Sequence, residues 1–153
     1  MAMVVRLAAL LAGLWAGILL CIAAIATPAI FAALVSADAG RVVARIFMRE
    51  AYLSLAIAVV LVVIERQRGR IDSAEGAGSV FSTNLVLLLG TLFCTVAGYF
   101  AVQPMMEAAR AGQSSVSFGA LHGISIGFFS LKGLLVLALA WRLTGVRPAA
   151  TTS

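Results

Sequence analysis

Four long stretches of apolar residues dominate the chain, and each is bounded by charged or small polar residues. They run from about Leu7 to Thr27, from Phe47 to Ile64, from Val80 to Val102 and from Val116 to Trp141. At a helical rise of about 1.5 Å per residue, stretches of this kind cross the ~30 Å hydrocarbon core of a membrane, and the second is the shortest. The pattern therefore predicts an all-α fold with four transmembrane helices.

Short polar segments join these stretches: SADAGR (36–41), RQRGRIDSAEGAGS (66–79) and EAARAGQSS (107–115). Short connections force consecutive helices to run antiparallel. We therefore expect an integral membrane up-down-up-down four-helix bundle. It forms a single domain over residues 1–145, and a disordered cytoplasmic tail follows at 146–153.

The composition supports a membrane protein. The chain is 63% hydrophobic and 11% charged, with a mean hydropathy of +1.11. A soluble domain of this size has too much surface to hide so many apolar residues. One alternative concerns the first stretch, because Arg6, an apolar core and the small residues AIA (24–26) also suit a secretory signal peptide. The apolar run continues past that site, which favours a retained helix.

The net charge of +5 does not indicate a nucleic-acid partner, because the arginines flank the apolar stretches, where they set topology and meet lipid headgroups. On the predicted topology, six arginines lie on one side of the membrane: Arg6, Arg66, Arg68, Arg70, Arg142 and Arg147. Four lie on the other: Arg41, Arg45, Arg49 and Arg110. This asymmetry predicts a multi-pass protein of the inner (cytoplasmic) membrane with both termini in the cytoplasm.

Two charged positions stand out within the predicted helices. Lys132 lies well inside the fourth stretch, where it is either a proton or ligand site or a snorkelling side chain that reaches the headgroups. Ser54 and Thr91 fall at a similar depth. Arg49 and Glu50 are expected at or below the outer interface, either as an ion-paired interfacial anchor or as a face that recognises an anion or gates a substrate.

Small and polar residues predict how the helices pack. On the third helix, Asn84 and Thr91 share a stripe with Gly98, which suits hydrogen bonds between helices. Glycines spaced by four residues allow close backbone approach. We therefore expect the stripe on the fourth helix to pack against the one on the first. These stripes consist of Gly119, Gly123 and Gly127, and of Gly13 and Gly17.

His122, the only histidine, is expected in a polar pocket at the outer mouth, with Glu50 as its hydrogen-bond acceptor and Ser125 as the alternative. Arg49 and Gln103 complete the predicted pocket, and Met105 and Met106 close it from above. Imidazole and thioether groups, with the thiols of Cys21 and Cys94 about one to two turns deeper, suit Cu(I), and a histidine also suits haem. The cofactor stays open between copper, haem and none, and a structural histidine is the simpler alternative.

Three segments resemble a known family: FAALVSADAGRVVARIFMREAYLSL (31–55), QPMMEAAR (103–110) and FGALHGIS (118–125). They are similar to the transmembrane protein 205-like family, whose bacterial members carry the label domain of unknown function 4149. The resemblance implies four membrane helices and an uncharacterised role. The layout is distantly similar to copper-resistance D-like membrane proteins and haem-pathway membrane oxidases. The matching residues are Phe31, Gly40, Phe47, Tyr52, Pro104, Met106, Arg110, Phe118, His122, Gly123 and Ser125. Lys132 departs from the family pattern.

Two functions remain open at this point. The first is a non-enzymatic membrane protein that handles a metal ion or small solute, or supports a membrane complex, as a possible homo-oligomer. The second is a membrane-bound redox or haem-pathway enzyme. One histidine, no nucleotide motif and no paired buried carboxylates argue against the enzyme.

Overall fold

The computed structural model describes residues 2–74 and 82–145, and within these ranges the fold is all-helical. The elements, in chain order, are α1 (Ala2–Cys21), π1 (Ile22–Ala26), α2 (Thr27–Ala33), α3 (Ser36–Ala74), α4 (Thr83–Thr95), π2 (Val96–Ala101), α5 (Val102–Arg110) and α6 (Phe118–Thr144). End-to-end joins produce four long helices: α1–π1–α2, α3, α4–π2–α5 and α6. Each is long and apolar enough to cross a membrane, which confirms the all-α class and the four apolar helices.

Two π-helical segments interrupt the α-helical geometry, and a proline follows each. Pro28 comes two residues after π1, and Pro104 comes three residues after π2. A proline lacks an N–H, and its ring collides with the carbonyl four residues earlier, here that of Ala24 or Phe100. The wider π turn relieves this collision. The first long helix therefore continues through its proline and ends at Ala33.

The second long helix is much longer than its apolar stretch. It has 39 residues, or about 58 Å at 1.5 Å per residue, nearly twice a ~30 Å hydrocarbon core. SADAGR (36–41), predicted as a connecting loop, instead forms its first turns. Asp38 suits this position because a negative charge is favourable at a helix N-terminus, and it pairs with Arg41. Part of the next predicted connector (75–79) and the predicted tail (146–153) lie outside the described residues.

The long helices pack in a ring. The fourth packs against the first and the third, and the second packs against the same two, so the second and fourth lie diagonally. Small residues spaced by four let the first helix approach its neighbours closely. The main apolar core consists of Ala8, Ala12, Trp15, Ala16, Leu19, Ile57, Ala58, Leu61, Leu88, Val136 and Leu139.

The predicted packing of the two glycine stripes is wrong within this chain. All five glycines are exposed, and no neighbouring side chain or helix lies within 4 Å of where a Cβ would stand. The first helix packs through its alanines instead. The glycines that do approach another helix are Gly90 and Gly98 on the third, which face the fourth. A Cβ added at Gly98 would lie 2.6 Å from Cβ of Phe128, and one added at Gly90 would lie 3.0 Å from Leu135.

Candidate functional site: a buried charge network

Two opposite charges meet in the interior, near the middle of the long helices. The ammonium group of Lys132 on α6 donates to both carboxylate oxygens of Glu50 on α3, at 2.7 Å to Oε1 and 2.8 Å to Oε2. Each residue is 4% exposed. Because α3 and α6 lie diagonally, the pair crosses the space between the helices, and only long side chains reach that far.

Two more side chains extend this pair into a chain of hydrogen bonds. Ser54, one turn after Glu50, donates its hydroxyl proton to Glu50 Oε1. The indole N–H of Trp15 on α1 donates to Ser54 Oγ at 2.8 Å. We call Trp15, Ser54, Glu50 and Lys132 the charge network. In the described part of the chain, every buried side-chain nitrogen and oxygen has at least one hydrogen-bond partner, and this includes the atoms of the network.

A small cavity of about 30 Å³ adjoins the ion pair. This volume holds one or two water molecules. The ammonium group of Lys132 has three N–H donors, and Glu50 accepts two of them. Its nitrogen also lies 5.0 Å from the ring centroid of Phe129, a cation–π contact. The cavity is lined by Phe47, Glu50, Cys94, Thr95, Gly98, Tyr99, Ser125, Phe129 and Lys132.

The third long helix changes its geometry beside this cavity. Cys94 and Thr95 end α4, and Gly98 and Tyr99 belong to π2. Because Gly98 has no side chain, π2 approaches Phe128 on α6 closely. π segments inside α-helices are frequent at functional sites. One wall of the cavity is thus formed by π2, the wider helical turn that precedes Pro104.

The predicted surroundings of Glu50 are wrong. It was expected at or below the outer interface beside His122, yet it contacts Lys132, which is fourteen residues from Phe118 and twelve from Thr144. The error arose because the second helix was expected to start at Phe47, whereas it starts eleven residues earlier. The snorkelling interpretation of Lys132 is also wrong, because its ammonium group ends at Glu50 in the interior.

The predicted pocket around His122 does not form. Its imidazole is exposed and stacks on Phe118, with ring centroids 5.6 Å apart and an interplanar angle of 12°. The guanidinium carbon of Arg110 lies 4.5 Å from the centroid of the same ring. Among the described residues, His122 makes no hydrogen bond, and Glu50 is occupied by Lys132 and Ser54 instead. A stacked aromatic surface takes the place of the expected polar pocket.

The other residues expected at that mouth do not gather either. Arg49 is exposed, and Gln103 is half-buried without a hydrogen-bond partner in the described ranges. Met105 is 45% exposed, whereas Met106 is buried against Val102 and Leu121. Within residues 2–74 and 82–145, no three His, Cys, Asp or Glu side chains stand together as a metal site.

A second polar cluster, centred on Glu65, joins the second, third and fourth long helices. Glu65 accepts hydrogen bonds from Ser82 at 2.8 Å and from Asn84 at 3.2 Å, and it pairs with Arg68. The Asn84 amide oxygen accepts from Arg142 at 2.9 Å. Asn84 thus bonds between helices, as expected. Thr91 and Thr95 instead donate to carbonyls of their own helix.

An apolar groove of about 880 Å³ runs along the outside of the first long helix, apart from the charge network. The groove is lined by residues of the first helix, which include Gly13, Gly17 and Cys21, and by Leu143 and Thr144 of the fourth. The expected glycine stripe of the first helix therefore faces outward into a groove. Among the described residues, none places an atom within 4 Å of a Cβ added at Gly13 or Gly17.

Sequence reasoning missed two polar residues of the site, Trp15 and Tyr99, and it considered Cys94 only as a possible metal ligand. Trp15 carried a usable signal, because tryptophan in membrane proteins concentrates at the interfaces and this one stands mid-helix. A buried indole N–H requires an acceptor. Its helix supplies none, so a polar group on a neighbouring helix was to be expected.

Together the fold and the network define a class: an all-helical protein with four candidate transmembrane helices and an ion pair enclosed between them, as expected of a multi-pass membrane protein. The family model described as Domain of unknown function (DUF4149) matches residues 10–115, more than half of the chain. The protein therefore belongs to the DUF4149 family, which confirms that part of the resemblance. The match contains Glu50 but ends before FGALHGIS and Lys132. No curated protein sequence and no solved structure matches the chain.

Proposed function

We propose that this protein is a non-enzymatic, multi-pass membrane protein that binds a small charged or zwitterionic solute at the Glu50–Lys132 pair. The observation that carries this proposal is the burial of both charges among apolar helices. Removing two charges from water is expensive, and well-packed apolar residues generally stabilise an interior at least as well. Ionisable residues inside transmembrane helices are accordingly rare and tend to mark binding sites or ion paths.

The geometry suggests how a solute engages the site. A carboxylate group of the solute competes with Glu50 for the Lys132 ammonium, and a cationic group competes with Lys132 for Glu50. The existing cavity of about 30 Å³ holds only water, so a larger solute separates the two side chains. Binding is then a substitution of one ion pair by another, with little change in the number of buried charges.

The proposal includes the membrane arrangement. We place the four helices up-down-up-down across the inner membrane with both termini in the cytoplasm, on the strength of the arginine asymmetry. Four helices are few for a transport path, so the functional form is a homo-oligomer or a complex with a membrane partner. The exposed glycine stripes offer faces for such packing. We also propose that the protein is related to the wider group of transmembrane protein 205-like proteins.

The alternative, a redox or haem-pathway enzyme, gains no specific support. The predicted copper or haem ligands do not converge in the described residues.

Ligand-induced stabilisation tests the proposal. Thermal unfolding of the purified protein in detergent micelles is followed by circular dichroism with acetate, methylammonium or glycine as probes. A solute that binds only the folded protein raises the unfolding midpoint as its concentration rises. We expect at least one probe to stabilise the natural protein.

The control is the variant with Glu50→Gln and Lys132→Met, which keeps side chains of similar length without charge. We expect the stabilising probe to have no effect on it. If none of the three probes shifts the midpoint of the natural protein, or if the shift persists in the uncharged variant, solute binding at this pair is refuted.

A further inference from the structure

We propose that the Glu50–Lys132 pair is a proton-exchange site that uses the water-sized cavity beside it. This role rests on the proposed function for its biological purpose. It adds that the proton is the ion that controls the site. It stands on three geometric facts: a fully buried ion pair, a cavity that borders both partners, and a hydrogen-bond chain to Trp15.

The cavity supplies room for the water molecule that carries the proton. Its volume of about 30 Å³ admits water, and Glu50, Lys132, Ser125 and Tyr99 provide polar groups along its wall. Two N–H donors of Lys132 point to Glu50, which leaves one donor for a water molecule. Both partners of the ion pair line the cavity, so a water molecule there is adjacent to the pair.

Few other titratable groups face the pair. The third long helix contributes Cys94 and Tyr99 at the cavity wall. The first contributes Trp15, whose indole does not titrate in water. Ser54 from the second helix and Ser125 from the fourth are neutral. The charge of the site is therefore set mainly by Glu50 and Lys132 themselves.

The exchange step is simple. A hydronium ion in the cavity transfers one proton to a carboxylate oxygen of Glu50, which becomes a neutral carboxylic acid and leaves a water molecule behind. The ammonium group of Lys132 keeps its proton, so the net charge of the pair rises from zero to +1. Release of the same proton to water reverses the step.

This step has a structural consequence. An ammonium group that has lost its counter-ion in an apolar interior is costly, so the protonated pair favours separation of α3 from α6. Ser54 also loses its anionic acceptor, which changes the hydrogen bond that Trp15 donates. Proton binding therefore opens the site to an external charged group and alters the environment of the Trp15 indole.

Trp15 provides an internal reporter. Replacing the 82% exposed Trp141 by Phe leaves Trp15 as the single tryptophan. The emission of Trp141→Phe protein in detergent is recorded from about pH 4 to about pH 10, a range that approaches the ordinary pKa values of both Glu and Lys. Circular dichroism at each pH checks that the protein stays folded. We expect a reversible shift of the emission maximum.

Matched variants assign the shift. The further changes Glu50→Gln and Lys132→Met should abolish it, whereas Glu65→Gln, which alters the carboxylate of the other polar cluster, should leave it in place. Infrared difference spectra of the Trp141→Phe protein between the two pH limits provide a second readout. They should show the carbonyl band of a protonated carboxylic acid that is stronger than in the variant with Glu50→Gln and Lys132→Met, which keeps the other five Asp and Glu residues.

Ser54→Ala separates the reporter from the site. It should weaken the fluorescence shift while the infrared band remains. An emission maximum that stays constant, together with a carboxylic acid band no stronger than in the variant with Glu50→Gln and Lys132→Met, would describe a permanently charged pair and overturn the inference. The proposed function fails separately, because a proton signal without solute stabilisation refutes only solute binding, and solute stabilisation without a proton signal refutes only exchange.

Discussion

Lys132 and Glu50 are 82 residues apart in sequence, and the ammonium nitrogen of one lies 2.7 Å and 2.8 Å from the two carboxylate oxygens of the other. The pair joins the two long helices that lie diagonally across the interior. Ser54 and Trp15 extend this link to the first helix. The same four residues thus connect three helices and form the candidate site.

Breaking the ion pair should destabilise the fold strongly. Lys132→Met leaves the Glu50 carboxylate buried without a counter-ion, and we expect a loss of about 3–5 kcal/mol in the free energy of unfolding. Adding Glu50→Gln to the same protein should recover most of that loss. Denaturant unfolding in detergent micelles measures both. As a control, Asp38→Asn breaks the exposed pair with Arg41 and should change stability by less than about 1 kcal/mol.

The hydrogen bond between Trp15 and Ser54 should contribute measurably. Ser54→Ala leaves the buried indole N–H without an acceptor and removes one donor to Glu50, which costs about 1–3 kcal/mol. Ser130→Ala, at an exposed position of α6, is the matched control and should be close to neutral. Equal stability of the two variants would contradict the buried network.

Glycine substitutions should distinguish packed from exposed faces. Gly98→Ala places a Cβ against the Phe128 side chain, and overpacking of this kind costs about 1–3 kcal/mol. Gly123→Ala meets no neighbour within 4 Å and should be neutral or stabilising, because alanine favours the helix by about 1 kcal/mol. Thermal unfolding of the two variants at low protein concentration compares them. A larger loss of stability from Gly123→Ala than from Gly98→Ala would show that Gly123 packs against another helix.

His122 should be dispensable for the candidate site. Its exposed ring contacts Phe118, so His122→Ala should change the free energy of unfolding by less than about 1 kcal/mol. Any stabilisation by acetate, methylammonium or glycine should remain as in the natural protein. Loss of that stabilisation in the His122→Ala protein would show that the histidine takes part in solute binding.

The proposed orientation can be tested by labelling single cysteines in intact cells. With Cys21 and Cys94 replaced by serine, a cysteine at Ala37 or Gln113 should react with a membrane-impermeant maleimide added from outside. A cysteine at Gly69 should react only after the cells are permeabilised. Labelling of Gly69 in intact cells would reverse the topology that the arginines predict.

The sequence by itself determined the all-α class and the number of apolar helices. Both follow from local properties, because an apolar run of sufficient length must satisfy its backbone hydrogen bonds internally if it is to lie in lipid. It also indicated that Lys132 was unusual, since a charge inside such a run is conspicuous. The membership in the DUF4149 family was likewise within reach of the sequence.

Only the tertiary structure decided which residues meet. Glu50 looked interfacial because the apolar pattern misplaced the start of α3 by eleven residues, and helical depth depends on where a helix begins. The five glycines looked like packing residues, yet helix rotation turned them outward and brought alanines inward. Spacing along one helix defines a face, but the partner of that face is set by the packing of all four. For that reason the counter-ion of Lys132 lies on the diagonal helix, a position that no local sequence pattern indicated.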